Sequence, residues 1–247
     1  MDYKQLLIIY PEFEHVIKHP LIQRLKKIRL SNPPKYSCYD HAVSAARMSF
    51  FMASVLKYRH IHLNVTDEEL EIVTLSSLLY FTGTPPFGPF CEQYNRENIL
   101  AQSAKNATVV LSAKYPQHLP WIKYIIHPAG SNCPNPERLF LSSIVNGVDD
   151  TLGSINLDCT WRRGSLLEDG HLLGFHPVDL MISVIINNHA IVCMNHVSNQ
   201  YASYKLLKRY LENEKTEIPV SIDIDNFPYF SIFDDASILE EAKNINM

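Results

Sequence analysis

Glycine is scarce in this chain, with 8 glycines against 15 prolines among 247 residues. Such a balance favours helices joined by kinked connections over a glycine-rich sheet. Long apolar runs are lacking too, because no stretch approaches the roughly 18 residues of a membrane-spanning helix. The first residues have neither the apolar core nor the small-residue cleavage site of a signal peptide. We therefore expect an intracellular, cytoplasmic protein with no membrane partner.

Basic charge is also in short supply, since 22 Lys and Arg face 26 Asp and Glu for a net charge of -4. A generic nucleic-acid binder needs a basic surface, so that class of protein is disfavoured. The five cysteines are scattered and form no CxxC pair, which disfavours both a disulfide framework and a zinc site. The rest of the composition, 46% hydrophobic and 19% charged, is ordinary for a globular protein with a real core.

Hydrophobic periodicity predicts a mainly helical chain. The first long amphipathic helix is expected within 16–30, with Pro20 in its first turn and Arg24 among the cations on its outer faces. Thr66 and the acidic residues after it form an N-terminal capping signal for a helix that is apolar nearly all round and should lie centrally. The first predicted helix runs from near His19 to residue 30, and the others cover 39–57, 66–81, 96–113, 119–126, 137–145 and 201–212.

The last third of the chain adds a strand pair and a tail of different character. The strand pair is predicted within 182–194, turning at Asn187 and Asn188. In the helix over 201–212, Lys205, Lys208 and Arg209 are expected to point outward. After residue 214 the sequence becomes acidic and aromatic, and a last short helix is predicted over 236–244. We expect one helical domain over 1–215, and an extension over 216–247 that packs on the domain or binds a partner.

Four segments, taken in order, carry a resemblance to a known family. They read HPLIQRLKKIRL, PKYSCYDHAVSAARMSFFMA, LLYFTGTPPFGPF and SIVNGVDDTLGSINLDCTWRRG. In the third, Leu79, Gly83, Pro86 and Phe87 keep the family's frame. The chain thus resembles, over about 1–215, the HD-domain phosphohydrolases of the deoxynucleoside triphosphate triphosphohydrolase type. That resemblance implies a helical HD fold. In active members it also implies a divalent metal, held by His, His, Asp and a distant Asp, that activates a water.

The metal-binding positions depart from the family's pattern. His41 matches the first ligand, but Tyr80 and Phe81 stand where the adjacent His-Asp pair is expected. An aromatic pair cannot ligate a divalent ion. The fourth ligand falls on Asp150 or on Thr151, depending on how the last segment is aligned. We therefore expect no metal and no cofactor, and His41 is more simply explained as a hydrogen-bonded core residue.

The remaining working positions of the family have changed as well. Thr84 replaces the catalytic His, Glu92 matches its partner carboxylate, Arg96 replaces a second catalytic His, Cys38 replaces the phosphate-binding Arg, and Leu30 replaces the sugar-reading Gln. In its last segment the family has a Lys or Arg, which falls here on Thr151 or Leu152. It also has a Tyr, which falls here on Ser154 or Ile155. Because proton-transfer, phosphate and sugar contacts are lost together, we expect no catalytic and no substrate-binding residue.

Two further groups of residues have the composition of a binding site. His189, Cys193 and His196 are spaced like metal ligands but have no fourth ligand of matching motif. Strand and loop residues that face different ways are the favoured explanation. Arg162 and Arg163 lie beside a tryptophan and could grip a phosphate or stack on a base. A surface pair at the end of a helix is favoured instead.

Three function classes remain open on this basis. The leading hypothesis is a catalytically inactive HD-domain protein, a pseudoenzyme that acts as a protein-binding or scaffolding module. The alternatives are a divergent metal-dependent nucleotide phosphohydrolase, rebuilt around His41, Glu92 and Asp150, and a nucleotide sensor that binds without hydrolysis. The bulk of the aromatic pair and of Pro85 disfavours the sensor. A composition rich in Ile, Asn and Tyr would suit an AT-rich genome, such as that of a large DNA virus.

A fold kept without its reaction is expected to act through its surface. One candidate surface is the basic face of the first predicted helix, formed by Lys18, Lys26, Lys27 and Arg29. The other is the tail, whose aromatic residues can anchor in a partner's pocket while its aspartates steer: Phe227, Tyr229, Phe230 and Phe233. We expect a protein partner or a homo-oligomer whose assembly weakens when the chain is cut before Ile222.

Overall fold

The computed structural model describes residues 4–28, 36–85, 89–147, 151–165 and 174–213. Across these ranges the protein is mainly helical and carries one two-stranded antiparallel sheet, which confirms the predicted fold class. None of the helices in these ranges is both long enough and apolar enough to cross a membrane. The extension over 216–247, with its predicted helix over 236–244, lies outside the described residues.

Eleven α-helices and two strands make up the described part of the fold. The helices are α1 Lys4–Ile9, α2 Glu14–Ile17, α3 Pro20–Gln23, α4 Cys38–Arg59, α5 Asp67–Leu79, α6 Pro89–Leu111, α7 Leu119–Ile126, α8 Phe140–Asn146, α9 Ser154–Gly164, α10 Pro177–Ile182 and α11 Ser198–Asn213. The strands are β1 Val184–Asn187 and β2 Ala190–Cys193. The prediction for α7 is confirmed residue for residue, whereas α6 begins seven residues earlier than predicted, at Pro89 rather than residue 96.

Helices α4 and α5 begin with matching capping boxes. Ser37 accepts from the Asp40 N–H at 3.2 Å, and the Asp40 carboxylate accepts from the Ser37 N–H at 2.9 Å. Thr66 and Glu69 make the same exchange at the start of α5, at 3.2 and 2.9 Å. Each box satisfies two backbone donors that the first turn of a helix leaves without an intrahelical acceptor. The capping signal predicted at Thr66 is therefore confirmed.

Helix α5 lies in the middle of the fold, as its nearly all-round apolar sequence predicted. Nine of its side chains are buried, and it packs against α4, α7 and α8. Three serine hydroxyls meet where α4, α5 and α9 come together. Ser49 Oγ lies 2.5 Å from Ser77 Oγ and 2.6 Å from Ser154 Oγ. Because the hydroxyls bond to one another, small side chains can bring the three helices close without leaving buried polar groups unsatisfied.

The prediction of a single helix from near His19 to residue 30 is confirmed at its start but wrong in its length. The chain instead forms α2, then α3, then a 3-10 turn over Arg24–Lys27, and it becomes extended at Ile28. Pro20 has no N–H to donate to the preceding turn, so α2 cannot continue through it. It starts α3 instead, with His19 as the capping residue. Pro20 therefore does sit in a first turn, but the helix that it opens is short.

The strand pair is confirmed with its turn displaced by one residue. Asn187 pairs with Ala190, so the two turn residues are Asn188 and His189. Both have positive φ, at 47° and 63°, as a two-residue hairpin turn that follows the strand twist requires. Farther along, Lys208 is buried on α11, so the prediction that it points outward is wrong.

Candidate functional site

The aromatic pair lies in the turn that follows α5, at the position where the family's metal pair is expected. Tyr80 and Phe81 are each 6% exposed. The Phe81 ring centroid lies 4.5 Å from that of the His41 imidazole and 5.2 Å from that of the Tyr80 ring. The pair is thus part of the hydrophobic core, and Phe81 packs on His41, which matches the family's first metal ligand.

His41 is engaged on its other side by a buried carboxylate. Its Nδ1 lies 2.5 Å from Asp158 Oδ2, and Ser44 donates to Asp158 Oδ1 at 2.5 Å. Arg162 Nε donates to Asp158 Oδ2 at 2.6 Å, and its Nη2 donates to the backbone carbonyl of Asp40 at 3.0 Å. Helix spacing produces the set, because His41 and Ser44 are three apart on α4 while Asp158 and Arg162 are four apart on α9. The prediction that His41 is a hydrogen-bonded core residue is confirmed.

The electrostatics of this cluster are dominated by Asp158. Burial raises the pKa of its carboxyl group. Interactions with three neighbours outweigh burial and hold the pKa of Asp158 below its ordinary value of 3.8. They are the hydrogen bond and charge of His41, the charge of Arg162 and the hydrogen bond from Ser44. Asp158 is therefore a carboxylate at neutral pH, with a guanidinium beside it. Arg162 is buried, so its prediction as half of a surface pair is wrong.

The loop that carries the aromatic pair is fixed by a second buried cation. Arg24 Nη2 donates to the backbone carbonyls of Thr82 and Thr84, both at 2.7 Å. Asn106 Nδ2 on α6 donates to the Thr82 carbonyl as well, at 2.9 Å. The prediction that Arg24 faces outward is wrong, because the 3-10 turn over Arg24–Lys27 buries this side chain while leaving Lys26 and Lys27 exposed.

Close packing against α6 holds the same loop from the other side. Ser103 Oγ donates to the Tyr80 carbonyl at 2.8 Å and accepts from the Gly83 N–H at 2.8 Å. A Cβ atom at Gly83 would stand 2.3 Å from the backbone oxygen of Ile99, far inside contact distance. Only glycine allows the loop to lie this close to α6. Backbone carbonyls at 80, 82 and 84 are therefore all held by side chains from elsewhere in the fold.

The structure brings together only part of the predicted set. His41, Tyr80 and Phe81 are in contact as described, and Cys38 and Thr84 are buried, whereas Arg96 is exposed. Leu30, Asp150 and the Glu92 side chain lie outside the described residues. Of the candidates on the last segment, Leu152, Ser154 and Ile155 are buried and Thr151 is half-buried.

Metal binding can be tested against the donors that are present. At the positions of the family's ligands, the described residues offer one imidazole, one phenol and one phenyl ring. A phenyl ring has no lone pair to donate, and the Phe81 ring packs on the His41 imidazole. Within the described ranges no three His, Cys, Asp or Glu side chains are grouped to hold an ion, and His196 Nε2 lies 3.0 Å from Ser183 Oγ. The described residues therefore do not fit a divalent metal held in the family's manner.

The residues that organise this site are not among the predicted site residues. They are Asp158, Ser44, Ser103 and Asn106. The one available signal was the spacing of Asp158 and Arg162, four apart on a helix whose neighbours at 154, 155 and 157 are buried. That spacing places both side chains on the inner face.

No family model matches the sequence, and neither does any curated protein. Solved structures do match. One is a hypothetical protein from Aquifex aeolicus, with 17% identity and a TM-score of 0.60 over 81% of this chain and 54% of that chain. Another is a phosphohydrolase from Bacteroides thetaiotaomicron, with 18% identity and a TM-score of 0.63 over 80% of this chain and 48% of that chain.

At these identities the likeness shows the fold alone, which is similar to that of a phosphohydrolase. The chain spans about half the length of the two solved structures.

Proposed function

We propose that this protein is a catalytically inactive relative of the HD-domain phosphohydrolases and works as a protein-binding or scaffolding module. The observation that carries the proposal is the contact of Phe81 with His41, at 4.5 Å between ring centroids, with both side chains buried. The similarity of the fold to a phosphohydrolase supports the ancestry. The residues that replace the expected ligands support the loss of the reaction.

Metal-dependent hydrolysis of a phosphoester requires an ion that activates a water and a group that protonates the leaving oxygen. Here the side chains at the ligand positions are packed together, and Thr84 stands where the family's catalytic imidazole is expected. Opening the site would require moving Phe81 away from His41. It would also require releasing a loop whose carbonyls are bound by Arg24, Ser103 and Asn106.

The first test is chemical and uses the purified full-length protein. We expect less than one equivalent of Fe, Mn, Ni or Zn per chain, and no hydrolysis of deoxynucleoside triphosphates with Mg²⁺, Mn²⁺, Ni²⁺ or Fe²⁺ added. One tightly bound transition ion that is lost in His41→Ala, or turnover that is lost in the same variant, would instead establish the divergent phosphohydrolase. His62→Ala, which changes an exposed histidine, is the matched control.

The protein-binding proposal includes a basic surface formed by described residues. Lys26 and Lys27 are exposed on the 3-10 turn whose Arg24 fixes the loop, and Lys18 is exposed a few residues earlier. Lys18 pairs with Glu14 at 2.7 Å, while Lys26 lies 4.8 Å above the Tyr39 ring. These three lysines form the basic surface of the protein-binding proposal, and they are opposite in sign to the protein as a whole. Arg29 lies outside the described residues.

The second test reverses this charge. The triple variant Lys18→Glu, Lys26→Glu and Lys27→Glu should lower the mass measured by light scattering, or abolish capture of a partner from the native cell. Reversing Lys4, Lys105 and Lys114 changes the net charge equally at exposed positions elsewhere and should do neither. A full-length chain that stays monomeric and captures no partner would end the scaffold proposal.

A further inference from the structure

Helix α11 has an outer side that combines apolar and basic residues. Ala202, Leu206 and Tyr210 follow one another at intervals of four and are all exposed, Leu206 at 67% and Tyr210 at 49%. We call these three residues the α11 ridge. The opposite side of the helix is buried against the domain, where the Tyr204 ring lies 5.6 Å from that of Phe175. The ridge is therefore directed away from the core.

Positive charge lines the α11 ridge. Lys205 and Arg209 are neighbours of its three residues on the helix surface, and the helix carries no acidic side chain before Glu212. The Lys205 ammonium lies 4.8 Å from the centroid of the Tyr201 ring on the same helix. A surface of this kind suits a peptide whose aromatic and acidic residues are interspersed, because the apolar groups can pack while the charges pair.

The chain itself contains such a peptide soon after α11. Residues 222–235 read IDIDNFPYFSIFDD, in which every charged residue is an aspartate and four residues are Phe or Tyr. The negative charge and the aromatic residues of this segment therefore complement the basic and apolar residues of the α11 ridge.

The connection is long enough for this segment to return along α11. The helix has 16 residues, and at 1.5 Å per residue it is about 24 Å long. When extended, the stretch over 214–221 spans roughly 26–29 Å. Residue 222 can therefore lie beside any turn of α11. A segment tethered this closely is present at an effective concentration on the order of millimolar, which favours it over the same segment of a second copy.

We propose that residues 222–235 dock along the α11 ridge of their own chain. In this arrangement Phe and Tyr side chains of the segment cover Leu206 and Tyr210, and its aspartates pair with Lys205 and Arg209. A partner that binds the tail must first displace it from the α11 ridge. The contact therefore regulates which surface the protein presents. The inference does not depend on the loss of catalysis, and its test involves no hydrolysis.

Zero-length cross-linking of the full-length protein tests the docking. A carbodiimide joins a lysine to a carboxylate only when they touch, and an equal mixture of ¹⁴N- and ¹⁵N-labelled protein separates links within a chain from links between chains. Mass spectrometry should find Lys205 linked to aspartates of 222–235 in peptides of a single isotope. The variant Leu206→Asp should lower the yield at least fivefold. Ile61→Asp changes a residue that is 77% exposed elsewhere and should leave the yield unchanged.

Three outcomes would overturn the proposal. Absence of any link from Lys205 to the segment would show that it lies elsewhere or is held by another partner. Links of equal yield from Lys205, Lys105 and Lys114 would show unspecific contact. Cross-linked peptides that combine ¹⁴N and ¹⁵N chains as often as random mixing predicts would show that the tail of a second copy binds the α11 ridge.

Discussion

The Phe81→Ala variant tests whether the Phe81 ring fills the space beside His41 or lies in an open pocket. The side chain is 6% exposed and packs on His41 and Tyr80, so the change deletes a buried ring. Phe→Ala in a core costs about 3–5 kcal/mol, and the upper part of that range applies where the surroundings cannot collapse into the cavity. Collapse is restricted here because Arg24 and Ser103 hold the loop by its carbonyls. We therefore expect a loss of about 4–5 kcal/mol.

Urea unfolding followed by circular dichroism measures the effect. With a denaturant slope of about 2–3 kcal/mol per molar, the Phe81→Ala midpoint should fall by more than about 1 M at unchanged slope. Phe51→Ala on α4 is the matched control, since the same ring is removed from a side chain that is 38% exposed. Phe51→Ala should lower the free energy of unfolding much less than Phe81→Ala does. A Phe81→Ala protein that is as stable as Phe51→Ala would refute the reasoning, because the ring would then occupy an open pocket.

Two further predictions concern the polar cluster and the expected ligand positions. Asp158→Asn leaves the buried Arg162 without its carboxylate and should cost about 3–5 kcal/mol at pH 7. Because folding lowers the pKa of Asp158, this deficit should be constant above the ordinary value of 3.8 and shrink as the pH falls below it. Asp67→Asn, at a side chain that is 83% exposed, should cost much less at pH 7. The double variant Tyr80→His and Phe81→Asp should be destabilised and hydrolyse no deoxynucleotide, because Cys38, Thr84 and Arg96 remain unchanged. Turnover in a metal-supplemented assay would contradict this.

Local signals in the sequence predicted local structure well. The start of α5 follows from a capping box that spans only Thr66 to Glu69, and the bounds of α7 follow from apolar spacing and a proline in its first turn. The hairpin was predicted one residue too early, because Asn187, Asn188 and His189 all tolerate turn conformations. The structure resolves the choice, because Asn187 pairs with Ala190 and leaves Asn188 and His189 in the turn.

The buried cations could not be predicted from their own neighbourhoods. Arg24 was placed outward because the residues around it fit a continuous amphipathic helix, which the structure breaks. Its acceptors are backbone carbonyls 58 and 60 residues farther along the chain, and a carbonyl has no signature in a sequence. Arg162 has its carboxylate four residues away, but the deciding contact is between Asp158 and His41, 117 residues apart. Only the packing of α4 on α9 brings these two together.

The same packing explains why a metal site would be hard to regain. Restoring an aspartate at position 81 would place a carboxylate beside His41, whose Nδ1 is already bound to Asp158. Without an ion, that carboxylate would be buried close to the charged Asp158, and burial and like-charge repulsion would destabilise the fold. Removing Asp158 to relieve that repulsion would leave Arg162 as a buried charge without its partner. Each single step toward a ligand set is therefore opposed by a contact that now stabilises the fold.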